Sequence, residues 1–208
     1  IVGEAGIGKT QLSRLLGRWA LEQGARLLQA RFFDYSGSKL APHDVFLGLL
    51  QQQLQANTAG CSAAHATAFR DLVRQRFSVE LPMEILMRFT APHTADQDHG
   101  DPLRAIIPLG NCFIALSRER PLVIVLDDLQ WADEASLELT GYLMRNADRE
   151  ALMLVALARS EVTLEPDHRL TRWLGVQASF RSYTTLPIKP LSEGECREAI
   201  GTIIGGGS

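Results

Sequence analysis

No apolar run in this chain of 208 residues approaches the roughly 20 residues that span a bilayer; the longest, Leu122–Leu126 and Ala151–Ala158, have the length of buried strands. No membrane partner is expected. Cysteine is scarce: Cys61, Cys112 and Cys196 are odd in number and widely spaced, which argues against a disulfide framework or zinc site and fits reduced thiols in a cytoplasmic protein. A basic excess is missing too. With 21 Lys and Arg against 24 Asp and Glu, the formal net charge is -3, so no polyanion-binding surface is expected and direct nucleic-acid contact by this segment is not predicted. There is no internal repeat, no G-x-S-x-G nucleophile turn and no signal segment, and the first residue is Ile1 rather than Met.

What the chain does have comes at once. Gly3-Glu4-Ala5-Gly6-Ile7-Gly8-Lys9-Thr10 fits the pattern G-x-x-x-x-G-K-[ST], in which small residues let successive backbone N–H groups curl around phosphate oxygens. Lys9 is expected to reach the β- and γ-phosphates, Thr10 to place its hydroxyl on Mg²⁺, and the following helix to add its N-terminal dipole. A tight strand-to-helix turn would explain the glycines alone. At average glycine usage, however, the four constrained positions match by chance in roughly 1% of chains this long. The expected nucleotide-binding set is Gly3, Glu4, Ala5, Gly6, Ile7, Gly8, Lys9, Thr10 and Gln11. Only Ile1 and Val2 precede the loop, so the central strand and an upstream base-binding segment are expected to lie outside this sequence, in an N-terminally truncated domain.

Hydrophobic periodicity then alternates between helix and strand. Leu12, Leu15, Leu16, Trp19 and Ala20 predict a helix over Gln11 to Gln23, closed by Gly24; Ala25 to Phe33 reads as a strand ending in a turn over Asp34 to Ser38. From about Pro42 to Arg118 the pattern is helical, interrupted by a breaker-rich loop, Ala91 to Pro102, and by a helix break near Pro108. His93, Asp96, Asp98, His99 and Asp101 crowd that loop without any recognisable metal-ligand spacing, so they are read as solvated. Leu122 to Leu126 predicts a strand buried on both faces, Glu134 to Ala147 a helix, Ala151 to Ala158 another buried strand, and Tyr183 to Ile188 a fifth. Ser192 and Glu195 have the spacing of a capping box that opens a last helix through about Ile204. The expectation is an α/β fold, one domain over 1–204 with a mainly parallel five-stranded sheet, helices on both faces and a helical insertion, followed by a linker-like tail at 205–208.

Asp127 and Asp128 end the most apolar strand, where a parallel sheet opens to ligand. Solvated aspartates capping a strand would look the same in isolation. Beside an upstream phosphate loop, Asp127 is expected to hold Mg²⁺ with Thr10, and Asp128 to be free to orient or deprotonate an attacking water.

Four stretches, "GEAGIGKTQLSRLL", "PLVIVLDDLQWADEASLELTGYL", "ALMLVALARSE" and "LPIKPLSEGE", carry a family resemblance over nearly the whole chain. Together they resemble the P-loop nucleotide-binding domain of bacterial STAND-type ATPases, relatives of AAA and Orc-like ATPases found in LuxR-type regulators, nucleotide cyclases and protein kinases. The most specific element is Asp127-Asp128-Leu129-Gln130-Trp131-Ala132-Asp133. The resemblance implies a three-layer P-loop fold that binds ATP or ADP with Mg²⁺, hydrolyses ATP slowly, and switches a longer signalling or transcription-regulatory protein through covalently linked sensor and output domains, with nucleotide-dependent self-association as a further implication. It also implies that Arg159 senses the γ-phosphate, against plain charge pairing, and that Trp131 and Asp133 belong to the motif, with indole packing the simpler role for Trp131. Lys9, Asp128 and Arg159 are the expected catalytic residues, and Thr10 and Asp127 the metal ligands. Two other functions stay open: a nucleotide-dependent interaction module that does not hydrolyse, and an Orc-like ATPase acting on DNA.

Overall fold

The computed structural model describes residues 1–34, 44–55, 63–90, 102–163, 165–180 and 183–205. Along these the chain runs β1 (Val2–Gly3), α1 (Lys9–Glu22), β2 (Arg26–Arg31), α2 (Asp44–Leu54), α3 (Ala63–Phe77), α4 (Met83–Thr90), α5 (Ile106–Glu119), β3 (Leu122–Asp127), α6 (Glu134–Ala147), β4 (Leu152–Ala156), β5 (Ala158–Arg159), α7 (Ser160–Thr163), α8 (Arg169–Gln177) and α9 (Glu193–Gly205). The expected loop residues 91–101, the turn residues 35–38, Cys61 and the tail 206–208 lie outside the described residues.

All strand pairing named here is parallel. β2, β3 and β4 form one sheet in that order, with Arg26 opposite Leu122 and Leu122 opposite Leu152. Side chains of β3 alternate between two apolar clusters, as a strand's period of two requires. Leu122, Ile124 and Leu126 join a large cluster with Phe46, Leu109, Phe113 and Leu139; Val123 and Val125 join a smaller one with Ala20 of α1, Val155 and Leu157. Burial on both faces is why this segment reads as an unbroken apolar run. Deep burial also pushes the Cys112 thiol up to about 12, so it packs as an inert apolar group.

A single five-stranded sheet does not form. β1 pairs with β5 in a separate two-stranded sheet. The division falls at Leu157: pairing of β4 with β3 ends at Ala156 opposite Leu126, and pairing of β5 with β1 begins at Ala158 opposite Val2, so the two ladders never run side by side. Leu157 N–H still donates to Leu126 O at 2.9 Å, and Ala158 N–H to Ile1 O at 3.0 Å, so the strand turns its hydrogen bonds from one neighbour to the other. The expected fifth strand, Tyr183 to Ile188, contracts to one bridge between Val2 and Pro187. Pro187 has no N–H to give a ladder, and its neighbour β1 offers two residues.

Other boundaries follow local chemistry. Gly24 takes φ +81° directly after the C-cap of α1, as a left-handed terminus needs. α6 spans Glu134–Ala147 as expected, capped by Asp133, whose carboxylate accepts from Ser136 N–H at 2.8 Å and from Ser136 Oγ at 2.6 Å. The motif's Asp133 is therefore a helix N-cap. The capping box at α9 is closed, with Ser192 N–H donating to Glu195 Oε2 at 2.7 Å and Glu195 N–H to Ser192 Oγ at 3.3 Å. The break expected near Pro108 lies upstream of it, where a 3-10 turn at Pro102–Ala105 passes into α5. Pro108 fits the first turn of α5, where backbone N–H groups have no intrahelical acceptor.

α5 and α6 meet closely at Gly110: a Cβ there would overlap the Tyr142 ring, whose hydroxyl donates to Asn111 Oδ1 at 2.8 Å. Gly110→Ala gains helix propensity of about 1 kcal/mol but overpacks the core by about 1–3 kcal/mol. A lower thermal midpoint than the parent is expected by calorimetry; an equal or higher midpoint contradicts this packing.

Candidate functional site

The glycines of the first loop allow a backbone that other residues resist. Gly6 and Gly8 take φ +77° and +104°, in the left-handed region, and nothing lies within 4 Å of where their Cβ atoms would be, so both are kept for conformation and open space. Gly3 is kept for contact, because a Cβ there would meet Ile188 O and Ile7 Cγ2 at 3.0 Å. Gly8 caps α1 without any side-chain acceptor, and no acid stands in the first turn of α1. Its leading N–H groups are therefore without a side-chain cap, the condition under which a helix N-terminus can take an anion.

Lys9 folds back over this loop, donating through Nζ to Gly3 O and Glu4 O, both at 2.7 Å. Burial holds its ammonium below the usual range; the charges of Glu161, Asp128 and Asp127 oppose that shift, and Arg159 adds to it.

The end of β3 supplies the opposite wall. In an extended strand, Asp127 and Asp128 would point to opposite faces. Asp128 instead takes φ 55° and ψ 45°, a left-handed conformation that aspartate tolerates better than most residues. Both carboxylates consequently line the same cleft of about 250 Å³, together with Ala5, Gly6, Gly8, Lys9, Thr10, Gln11, Arg31 and Arg159. Gly3, Glu4 and Ile7 do not line it; they shape the loop behind it.

Thr10 Oγ1 donates to Asp127 Oδ2 at 3.0 Å across 117 residues of sequence, and Asp128 N–H donates to Asp127 Oδ1 at 2.9 Å. A hydroxyl beside a carboxylate is an oxygen donor set suited to Mg²⁺. The left-handed glycines and the uncapped α1 terminus suit phosphate. The residues present therefore fit a Mg²⁺–nucleotide.

Asp128 is more engaged than its sequence suggested. Arg31, at the end of β2, donates from Nε to Asp128 Oδ2 at 2.7 Å and reaches the same oxygen with Nη2 at 2.6 Å. Gln130 Nε2 donates to Oδ1 at 2.8 Å, and Arg159 Nε stands 4.0 Å from Oδ1. Asp128 is thus held, and not free as expected. Its hydrogen bond raises the Arg31 pKa further above the arginine range, and Phe33 stacks beneath that guanidinium with 5.7 Å between its carbon and the ring centroid. Arg31 and Gln130 were not singled out from sequence. Arg31 ends a strand paired with β3, with Asp127 opposite it, and that register is the signal a sequence reading could have used. Arg159 ends β5 opposite Gly3, so the β1–β5 pairing places it at the phosphate loop. Trp131 is 38% exposed on a 3-10 turn, so its indole is only partly packed.

Among the described residues, no helix is long and apolar enough to cross a membrane and no cluster of His, Cys, Asp and Glu could by itself hold a metal. Compared with known proteins, residues 1–155 match the sequence model of a family described as the AAA ATPase domain. No curated protein and no solved structure matched. The family's match covers the phosphate loop, Arg31 and the acidic pair, and it implies binding of nucleotide and Mg²⁺ and suggests NTP hydrolysis. This chain belongs to the AAA ATPase domain family.

Proposed function

We propose that this domain binds ATP and hydrolyses it slowly, acting as the nucleotide switch of a larger bacterial signalling or transcription-regulatory protein. The observation that supports this most is the meeting of Thr10 with Asp127 at 3.0 Å, which joins the phosphate loop to the acidic strand end in one cleft. The cleft is lined by three cationic side chains, Lys9, Arg31 and Arg159, and two carboxylates, Asp127 and Asp128. That leaves an excess of one positive charge for a polyphosphate.

Lys9 and the amides at the start of α1 bind the β- and γ-phosphates, and Gly6 and Gly8 keep the loop open to them. Thr10 and Asp127 would hold Mg²⁺, which when bound neutralises charge on the phosphate oxygens. Asp128 accepts the proton of the attacking water, and Arg159 senses the γ-phosphate. Lys9 currently spends its donors on Gly3 O and Glu4 O, so it exchanges carbonyl acceptors for phosphate oxygens on binding. The switch role and the attached sensor and output domains rest on the resemblance to STAND-type ATPases.

A non-hydrolysing, nucleotide-dependent interaction module is the second reading, favoured by one observation. Both oxygens of Asp128 are hydrogen-bonded, by Arg31 and Gln130, so the proton acceptor must exchange a partner before it can act. On the leading reading this exchange makes turnover slow.

Lys9→Ala is expected to lose ATP binding at concentrations that saturate the parent, as measured by equilibrium titration; parent-like affinity contradicts the assignment. Asp128→Asn is expected to keep ATP binding within a few-fold and to lower turnover by about 100-fold or more, the usual contribution of a general base. Unchanged turnover removes Asp128 from the chemistry, and an inactive parent favours the second reading.

A further inference from the structure

The two donors that hold Asp128 differ in how far they can move. Arg31 reaches Oδ2 from the end of β2 with 57% of its side chain exposed, and it lines the cleft. Gln130 is 2% exposed and does not line it; its Nε2 donates to Oδ1 at 2.8 Å, while Arg159 Nε stands 4.0 Å from that oxygen. The 3-10 turn that carries Gln130, Leu129–Trp131, is anchored on both sides. Leu129 is buried and its N–H donates to Leu157 O at 2.9 Å; Trp131 N–H closes back on Asp128 O and Ala132 N–H on Leu129 O, both at 3.0 Å. Gln130 is therefore a fixed post beside a carboxylate whose own backbone is left-handed.

The other end of the Gln130 amide has no compensation. Oε1 is buried and accepts no hydrogen bond among the described residues. Turning the amide over would set Oε1 against Asp128 Oδ1, two acceptors in contact. A methionine of similar size would fill the space without an unpaired acceptor, which folding penalises. What the amide offers in return is one donor, and that donor goes to Asp128. A carboxylate oxygen has about two acceptor sites. Both Arg31 contacts fall on Oδ2, so Oδ2 is freed as a whole when Arg31 turns away, whereas Oδ1 stays on Gln130.

We propose that Gln130 is a positioning residue for ATP hydrolysis: it anchors Asp128 through Oδ1 so that Oδ2, once Arg31 releases it, meets the attacking water in a fixed orientation. In that step the water oxygen bonds to the γ-phosphorus as the bond from this phosphorus to the β–γ bridging oxygen breaks. The bridging oxygen leaves with ADP and keeps the electron pair, and the water proton passes to Oδ2. This rests on the reading of Asp128 as the proton acceptor, and adds which oxygen acts and what holds it. The alternative is that Gln130 only braces the turn.

The test replaces the amide on the whole chain, Gln130→Met, with ATP affinity measured by equilibrium titration and hydrolysis by single turnover in Mg²⁺. Affinity within about twofold of the parent and a rate lowered by about 10- to 100-fold are expected, the scale of a catalytic group held out of place. In an Asp128→Asn background the same change is expected to lower the rate no further, because the group it positions has lost its role. Gln130→Asn keeps the amide but withdraws it by one methylene, and a smaller fall in rate is expected; it serves if Gln130→Met does not fold. The thermal midpoint of Gln130→Met is expected to stay close to the parent's, since the unpaired Oε1 goes with the lost donor. A parent-like rate in both Gln130 variants while Asp128→Asn is impaired overturns this proposal alone, as does a rate that falls only with the folded fraction or together with affinity. A parent-like rate in Asp128→Asn, or a parent that does not hydrolyse ATP, overturns the underlying reading as well.

Discussion

Two adjacent carboxylates at the end of a strand buried on both faces must find donors, and the way Asp127 and Asp128 do so links the elements around the cleft. Asp127 takes the Thr10 hydroxyl from α1; Asp128 takes Arg31 from β2 and Gln130 from the following turn, with Arg159 of β5 nearby. A carboxylate left unpaired in so nearly buried a place would cost several kcal/mol. The strands are therefore fixed relative to one another at the end where ligand would enter. The left-handed backbone at Asp128 is the local departure that makes this possible, since it turns a strand's alternating side chains into a pair on one wall.

The same arrangement gives the two acids different partners. Asp127 has a light, exchangeable partner in a hydroxyl, suited to a cation that the hydroxyl would share. Asp128 is locked by a charged and a neutral donor, and Phe33 steadies the charged one. One carboxylate of the pair thus has an exchangeable partner and the other is restrained. On the proposed reading, in which Asp128 is the proton acceptor, a preformed binding loop beside a tied acceptor suits slow turnover more than rapid turnover.

Much of this was legible in the sequence wherever the signal is local. The phosphate loop, α6 from Glu134 to Ala147, the two-faced burial of Leu122 to Leu126 and the capping box at Ser192 all follow from spacing and chemistry within a few residues. Departures came where the outcome depends on partners far along the chain. The sheet divides at Leu157 because of where two registers start and stop, which no periodicity reveals. Tyr183 to Ile188 has a strand's composition but only two residues of β1 beside it. α7 is a single turn, too short to show a period, whereas Leu170, Trp173 and Leu174 of α8 do have helical spacing that the sequence reading left unused, and His168 caps that helix by accepting from Leu170 N–H at 3.1 Å. At the site, the loop and the acidic pair were readable as motifs, whereas Arg31 contacts Asp128 across 97 residues and shows only once β2 and β3 are aligned.

Central to this view is that the loop and the acidic pair form one Mg²⁺-dependent site for ATP. Single-turnover incubation of an excess of the chain with γ-labelled ATP, followed in Mg²⁺ and in parallel with the metal chelated, tests it most directly. Slow release of labelled phosphate that requires Mg²⁺ is the predicted result. Recovery of all the ATP intact, or release that proceeds equally without the metal, would contradict it.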